Sequence, residues 1–286
     1  VSLPYDLPFT LGHEVAGTVV AVGSGVSDDW LDEPVAVHGV WSCGQCRRCR
    51  AGRENYCFEL TGPIGSGLGY DGGLAEFVLV PSERFLVKAG GVKPEHLAPL
   101  TDAGLTAYHS VHENLDALAG GGTALVVGVG GLGHLAVQVL RALSDATVVA
   151  VDPRESAQAV AREHGADRVL SGLELLDDRV DLALDFVGSD TTLCHAAQLL
   201  APGGRLVVVG SAGGSLAASK RGALPRGWQV SAPFWGARSD LEAVVELAAE
   251  GALVVETETG SLAEAPELYR RLRSGEVRGR AVVVPH

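Results

Sequence analysis

With 286 residues, 47% of them hydrophobic, the chain has the length and apolar content for one large or two ordinary folded domains, which excludes wholesale disorder. Its formal charge of −13, from 22 basic and 35 acidic side chains, argues against nucleic acid or an anionic membrane as partner. Its most apolar stretch, residues 123–140, contains Gly128, Gly130, Gly131, Gly133 and His134, so it divides into strand, turn and helix and is not a membrane span.

The first hundred residues read as β. Four runs, 14–23, 34–41, 75–80 and 84–89, are rich in β-branched or aromatic residues and bounded by Gly, Pro or Asp. They predict a small barrel or sandwich. Apolar residues take helical spacing over 98–118. Strands then alternate with helices: strands at 123–128, 147–151, 181–186 and 205–210, helices near 131–143, 155–164 and 190–200. Such alternation predicts a doubly wound parallel sheet, hence an α/β chain. After Pro233 follow helices near 239–251 and 262–275 and a last strand at 280–285. The expected domains are 1–103, 104–233 and a return segment, 234–286.

Four of the five cysteines, Cys43, Cys46, Cys49 and Cys57, fall in one lobe, 43–57, spaced C-x2-C-x2-C-x7-C. Disulfides suit this chain poorly: no secretory leader is visible and the cysteines are crowded together, so a cytoplasmic setting is expected. Four thiolates at short steps suit a closed tetrahedral structural zinc better than an iron–sulfur cluster. Arg47, Arg48, Arg50 and Arg53 lie among them and would offset the excess negative charge. The fifth, Cys194, reads as a small buried hydrophobe in a helix.

The run Gly128-x-Gly130-Gly131-Leu132-Gly133 follows a strand, opens a helix and precedes a second strand that ends at Asp152. That context is the dinucleotide fingerprint. Gly128 serves the tight turn, Gly130 the approach to pyrophosphate, and Gly133 the packing of helix on strand. Asp152 would take the adenosine ribose hydroxyls and favour NAD over NADP, while Arg154 weakens that preference. His134 stands beside the phosphate position or packs in the core. His109, His112 and His164 read as surface or capping residues, and Asp28, Asp29, Asp32 and Glu33 as a solvated loop.

The segments 12–23, 43–57, 100–111, 126–133 and 148–152, in this order, resemble the zinc-dependent medium-chain alcohol dehydrogenases of the bacterial secondary-alcohol type. The resemblance implies a GroES-like β-barrel catalytic domain, here missing its first strands, joined to a Rossmann domain. It implies His13 and Asp102 as ligands of a catalytic zinc and Glu14 as the neighbouring glutamate. Tyr5 and Trp235 would line the substrate pocket, and Val187, Val209 and Gly210 the nicotinamide loops. Residues 170–188 are short for the family, as though a helix–loop were trimmed.

NAD and zinc are the cofactors this implies. A small alcohol or ketone is the partner, in a homodimer or homotetramer, without nucleic acid or membrane. The family's cysteine ligand to the catalytic zinc lies several dozen residues before the His13 motif and has no counterpart here. The expectation is therefore an N-terminally incomplete copy, poorly active alone; the alternative is a natural short form in which Glu14 or water takes the place of the cysteine. The rival functions are an NAD-binding pseudoenzyme and a zinc-free quinone or enone reductase. The latter lacks the cysteine lobe and the His–Glu pair.

Overall fold

The computed structural model describes residues 5–218 and 224–285. It contains two compact units, Val1–Leu105 with Phe234–His286, and Thr106–Pro233.

In the first unit, β1 (Val15–Thr18), β2 (Pro34–Val37) and β5 (Leu86–Lys88) form an antiparallel sheet with β2 in the middle. Val15, Val35, Val37 and Leu86 meet on one face, with Trp30, Val78 and Val80 packed against them. Burying β-branched side chains on one face of a pleated ladder is what holds such a sheet. Between β2 and β5 lie the short helix α1 (Arg47–Arg50) and the two-residue strands β3 (Gly65–Ser66) and β4 (Gly69–Tyr70). The helix α2 (Pro94–Leu97) follows, and α3 (Ala103–His112) begins in this unit and continues past Leu105 into the second.

The expected strand at 75–80 does not form. Its alternation survives: Phe77 and Leu79 are 70% and 86% exposed, while Val78 and Val80 pack on the core. No ladder partner lies beside it among the described residues, and a strand needs one to satisfy its N–H and C=O groups.

The second unit is built on a six-stranded, all-parallel sheet. Its strands are β6 (Thr123–Val127), β7 (Thr147–Val151), β8 (Arg168–Leu170), β9 (Val180–Asp185), β10 (Leu200–Val208) and β11 (Gln229–Ser231). The order is β8-β7-β6-β9-β10-β11, so the winding reverses between β6 and β9. Register sets Val127 beside both Val151 and Asp185, which aligns the carboxyl ends of three strands. The crossover helices are α4 (Gly133–Leu143), α5 (Glu155–Glu163) and α6 (Asp190–Leu199). Leu125, Val127, Val149, Ala183 and Leu206 form the core with Leu193, Ala196 and Ala197 of α6. Parallel strands buried on both faces need this near-continuous apolar character. Between β8 and β9 there is a single short turn, Leu173–Leu175.

Two expectations are corrected here. Cys194 is exposed: α6 buries Leu193, Ala196 and Ala197, and Cys194 falls out of phase with that stripe. His109 is buried at 3% exposure, because α3 is enclosed nearly all round.

The chain then returns through α7 (Arg238–Ala249), β12 (Thr257–Gly260), α8 (Ala265–Arg273) and β13 (Arg280–Val283). β12 and β13 pair in parallel. No described helix is long and apolar enough to cross a membrane.

Candidate active site

The four cysteines converge as their spacing predicts. Their sulfurs lie within 4.8 Å of one another, with Cys46–Cys49 at 3.5 Å and Cys43–Cys49 and Cys46–Cys57 at 3.9 Å. Zinc–thiolate bonds of about 2.3 Å put tetrahedral sulfurs about 3.8 Å apart, so the set fits zinc. Backbone N–H groups stabilise negative sulfur. Gln45 and Cys46 donate to Cys43 Sγ at 3.4 and 3.3 Å and lower its pKa. The N–H groups of Cys49 and Phe58 bring Cys46 down to about 6. The guanidinium groups of Arg47 and Arg48 stack on Phe58, and that of Arg53 on Tyr56. With four thiolates present, the site has no position left for a substrate.

In the same unit, His13 precedes β1 and Asp102 precedes α3. His13 Nε2 lies 3.2 Å from Asp102 Oδ2. Zinc bonds of 2.0–2.2 Å to nitrogen and oxygen place tetrahedral neighbours about 3.3 Å apart, so this pair fits two corners of a zinc site. The hydrogen bond to Asp102 raises the pKa of His13, against the effect of burial.

Glu14 does not join them. Its Oε1 accepts the Ala103 N–H at 3.1 Å and its Oε2 is taken by Arg280 of β13. Burial pushes the Glu14 carboxyl up and Arg280 opposes it. Among the described residues, the cysteine lobe is the one place where three or more His, Cys, Asp or Glu ligand atoms gather. Tyr5, His13 and Glu14 line a groove of about 1600 Å3 that Trp235 does not border. The Trp235 ring lies 5.8 Å from that of His13, whereas Tyr5 packs edge-on against Phe9 at 5.9 Å.

The second unit carries a separate cleft of about 670 Å3 at its topological switch point. Gly128, Gly130, Gly131, Leu132, Gly133, Asp152, Val187, Val209 and Gly210 all border it. Gly128 has φ +85°, and a side chain on Gly133 would meet the Gly128 carbonyl at 1.9 Å, so both positions require glycine. In front of Gly130, the nearest atom to an added Cβ is the Arg154 guanidinium at 3.8 Å, which leaves the loop open to a phosphate.

Asp152 is 3% exposed and accepts N–H bonds from Val129 at 2.9 Å and Arg154 at 2.9 Å. Burial raises its pKa, but the Arg154 guanidinium and these N–H groups hold it below the usual carboxylate value. The residues fit a dinucleotide: a glycine turn, a helix N-terminus and an ionised carboxylate at the end of β7.

Sequence reasoning missed or left open three supports. His134 is buried and its Nδ1–H donates to the Gly130 carbonyl at 2.8 Å, bracing the turn. Asp185, fully buried at the end of β9, accepts the N–H groups of Val187 and Gly188 at 2.8 and 2.9 Å and shapes the loop that carries Val187. Arg280 engages Glu14. His134 had a signal in its place directly after the glycine turn and Asp185 as the polar end of an apolar run, whereas Arg280 had none.

Residues 2–91 match the family described as "Alcohol dehydrogenase GroES-like domain", and residues 131–250 match "Zinc-binding dehydrogenase". The NAD-dependent alcohol dehydrogenase of Sulfolobus acidocaldarius is 34% identical, with 97% of this chain and 82% of that protein covered. The chain belongs to the zinc-dependent medium-chain alcohol dehydrogenases. The crystal structure of the Aeropyrum pernix alcohol dehydrogenase is similar at 36% identity and TM-score 0.89, covering 99% of this chain and 85% of that one. An acetophenone reductase from Geotrichum candidum, solved with NAD, is 34% identical at TM-score 0.87, covering 98% and 83%. This membership makes the fold GroES-like plus Rossmann and the cofactors NAD and zinc. It gives the zinc-free reductase and pseudoenzyme readings no better support.

Proposed function

We propose that the chain is an oxidoreductase that moves hydride reversibly between a secondary alcohol or its ketone and NAD, with His13 and Asp102 as ligands of the reacting zinc. The observation that carries this reading is the His13–Asp102 pair at 3.2 Å, separate from a complete four-cysteine set. Two different donor sets in one family member suit two tasks, one structural and one chemical. His13 and Asp102 would hold a zinc there, which would supply the Lewis acidity that eases loss of an alcohol proton near neutral pH.

The chain's own residues do the rest. Residues 1–103 with 234–286 form the catalytic unit, and 104–233 the NAD-binding unit. Asp102 supplies negative charge beside the His13 ring. Glu14, held by Arg280 and the Ala103 N–H, fixes the start of α3 next to Asp102 and serves as a positioning group. Trp235, beside His13, provides an apolar aromatic wall that excludes water from a ketone, and Tyr5 lines the groove that His13 borders. In the NAD-binding unit, the N-terminus of α4 holds pyrophosphate and Asp152 the adenosine ribose. Val187, Val209 and Gly210 border the nicotinamide.

A cytoplasmic setting suits four sulfurs gathered around one point as a metal-ligand set. Self-association into a dimer or tetramer is supported by apolar side chains at two places. Val230, on the edge strand β11, is 49% exposed, and Phe58, on the cysteine lobe, is 51% exposed.

One observation favours the rival reading of NAD binding without turnover: both Glu14 oxygens are engaged, so among the described residues two donors, His13 and Asp102, converge there. The test is NADH formation from a secondary alcohol in the zinc-supplemented protein, with NAD affinity measured alongside. Turnover that requires Asp102 supports dehydrogenase function. Tight NAD binding with no turnover at any zinc level supports the rival.

A further inference from the structure

Trp235 has φ +52°, a left-handed conformation that a bulky aromatic residue adopts only when its surroundings impose it. The surroundings are specific. The carbonyl before it, Phe234 O, accepts from Asn55 Nδ2 at 2.9 Å. The carbonyl after it, Gly236 O, accepts from His38 Nε2 at 2.9 Å. The next segment is held as well, since Arg238 N–H donates to Glu54 Oε1 at 2.6 Å. Asn55 and His38 are 2% and 1% exposed, so these bonds are shielded from water. The indole lies in a slot made by Gly39, where an added Cβ would sit 2.0 Å from the ring. In that slot the ring faces His13 at 5.8 Å.

Glu54 and Asn55 belong to the cysteine lobe: they are the turn Glu54–Tyr56, immediately before Cys57. That turn closes with the Cys57 N–H donating to Glu54 O at 3.0 Å. The lobe therefore touches the segment that carries Trp235 through two side chains placed by the approach of the chain to its last cysteine.

We infer that the four-cysteine lobe is the scaffold of the substrate wall: through Asn55 and Glu54 it clamps residues 234–238 and holds Trp235 against His13. Asn55 is a positioning residue, acting on substrate through Trp235. Loss of metal from the lobe is then felt first at Trp235, and the structural site acts on the reacting site without contributing a ligand to it. The inference rests on the reading of Trp235 as a substrate wall.

The test is hydrogen–deuterium exchange on the zinc-loaded chain, comparing wild type, Asn55→Asp, which loses the donor at nearly constant shape, and Asn55→Gln, which keeps an amide. In Asn55→Asp, amides 234–238 should exchange about tenfold faster while Val35–Val37 is unchanged and lobe zinc stays in place. Asn55→Gln should restore part of the protection. Should Asn55→Asp fail to fold, the wild type before and after zinc extraction from the lobe gives the same readout at 234–238. Unchanged exchange at 234–238, or an equal rise in Val35–Val37, overturns the clamp. In steady-state kinetics with a ketone, Asn55→Asp should raise KM about tenfold and change kcat less than about threefold. Faster exchange with an unchanged KM keeps the clamp and removes Trp235 from the substrate wall.

Discussion

The cysteine lobe and the His13–Asp102 pair are both metal-binding arrangements, yet they are built in opposite ways. The lobe gathers four like donors from within fifteen residues of chain, and its own backbone N–H groups turn toward the sulfurs. The His13–Asp102 pair brings together two unlike donors 89 residues apart, which only the folded first unit can do. The first closes around an ion and leaves it nothing further to bind. The second leaves coordination positions open, which chemistry requires and tight binding does not favour. The difference separates stability from reactivity, and the experiments below are chosen to break that separation.

The largest effect is expected at the open site. Asp102→Asn removes a charged donor and should lower kcat/KM by about a thousandfold, about 4 kcal/mol of transition-state stabilisation. NAD affinity, measured by fluorescence titration, should stay within about twofold. A parallel loss of NAD binding would mean that Asp102 supports the fold and not the reaction.

At the closed site the consequence should be structural. Cys57→Ser should abolish tight zinc and destabilise the first unit by about 3 kcal/mol, seen as a lower urea midpoint and a zinc assay near zero. Full stability without that zinc would contradict the role given to the lobe.

A smaller change separates the nucleotide site from both metal arrangements. Asp152→Ser removes the carboxylate but leaves Arg154 beside the ribose position, so the preference for NAD over NADP should fall by about thirtyfold, about 2 kcal/mol. Zinc content should not move.

The smallest effect concerns the clamp between lobe and site. Burial holds the pKa of His38 below its ordinary value, and its Nε2–H bonds to Gly236 O. Above pH about 6.5 the ring is neutral in both folded and unfolded chains and its contribution is intact. As the pH falls below that, the unfolded chain takes up a proton that the folded chain refuses. Stability should then drop by at most about 1.4 kcal/mol per pH unit. His38→Gln, which can still donate, should lose that part of the pH dependence in urea denaturation between pH 5 and 7.

What could be read from sequence divides along the same line. The lobe, the glycine turn and Asp152 were legible because their chemistry is written in short spacings, and the alternation of strands and helices in the second unit follows local periodicity. His13 and Asp102 came from resemblance to a family, since nothing local joins residues so far apart. The capture of Glu14 by Arg280, 266 residues away, had no local signal. Neither had the clamp on Trp235, whose partners lie 179 and 198 residues from Phe234 and Gly236. Residues 75–80 have a strand's alternation, but a ladder depends on a neighbour that periodicity cannot supply. Cys194 could have been placed correctly, because Leu193, Ala196, Ala197 and Leu200 already mark the buried stripe.

The most direct test of the two-site account is zinc stoichiometry coupled to turnover. After exhaustive dialysis the chain should keep one zinc, lost in Cys57→Ser, and NADH formation should follow a second, exchangeable zinc whose effect disappears in Asp102→Asn. Turnover that tracks the tightly held zinc, or that persists in Asp102→Asn, would contradict the division between a structural lobe and a reacting His13–Asp102 site.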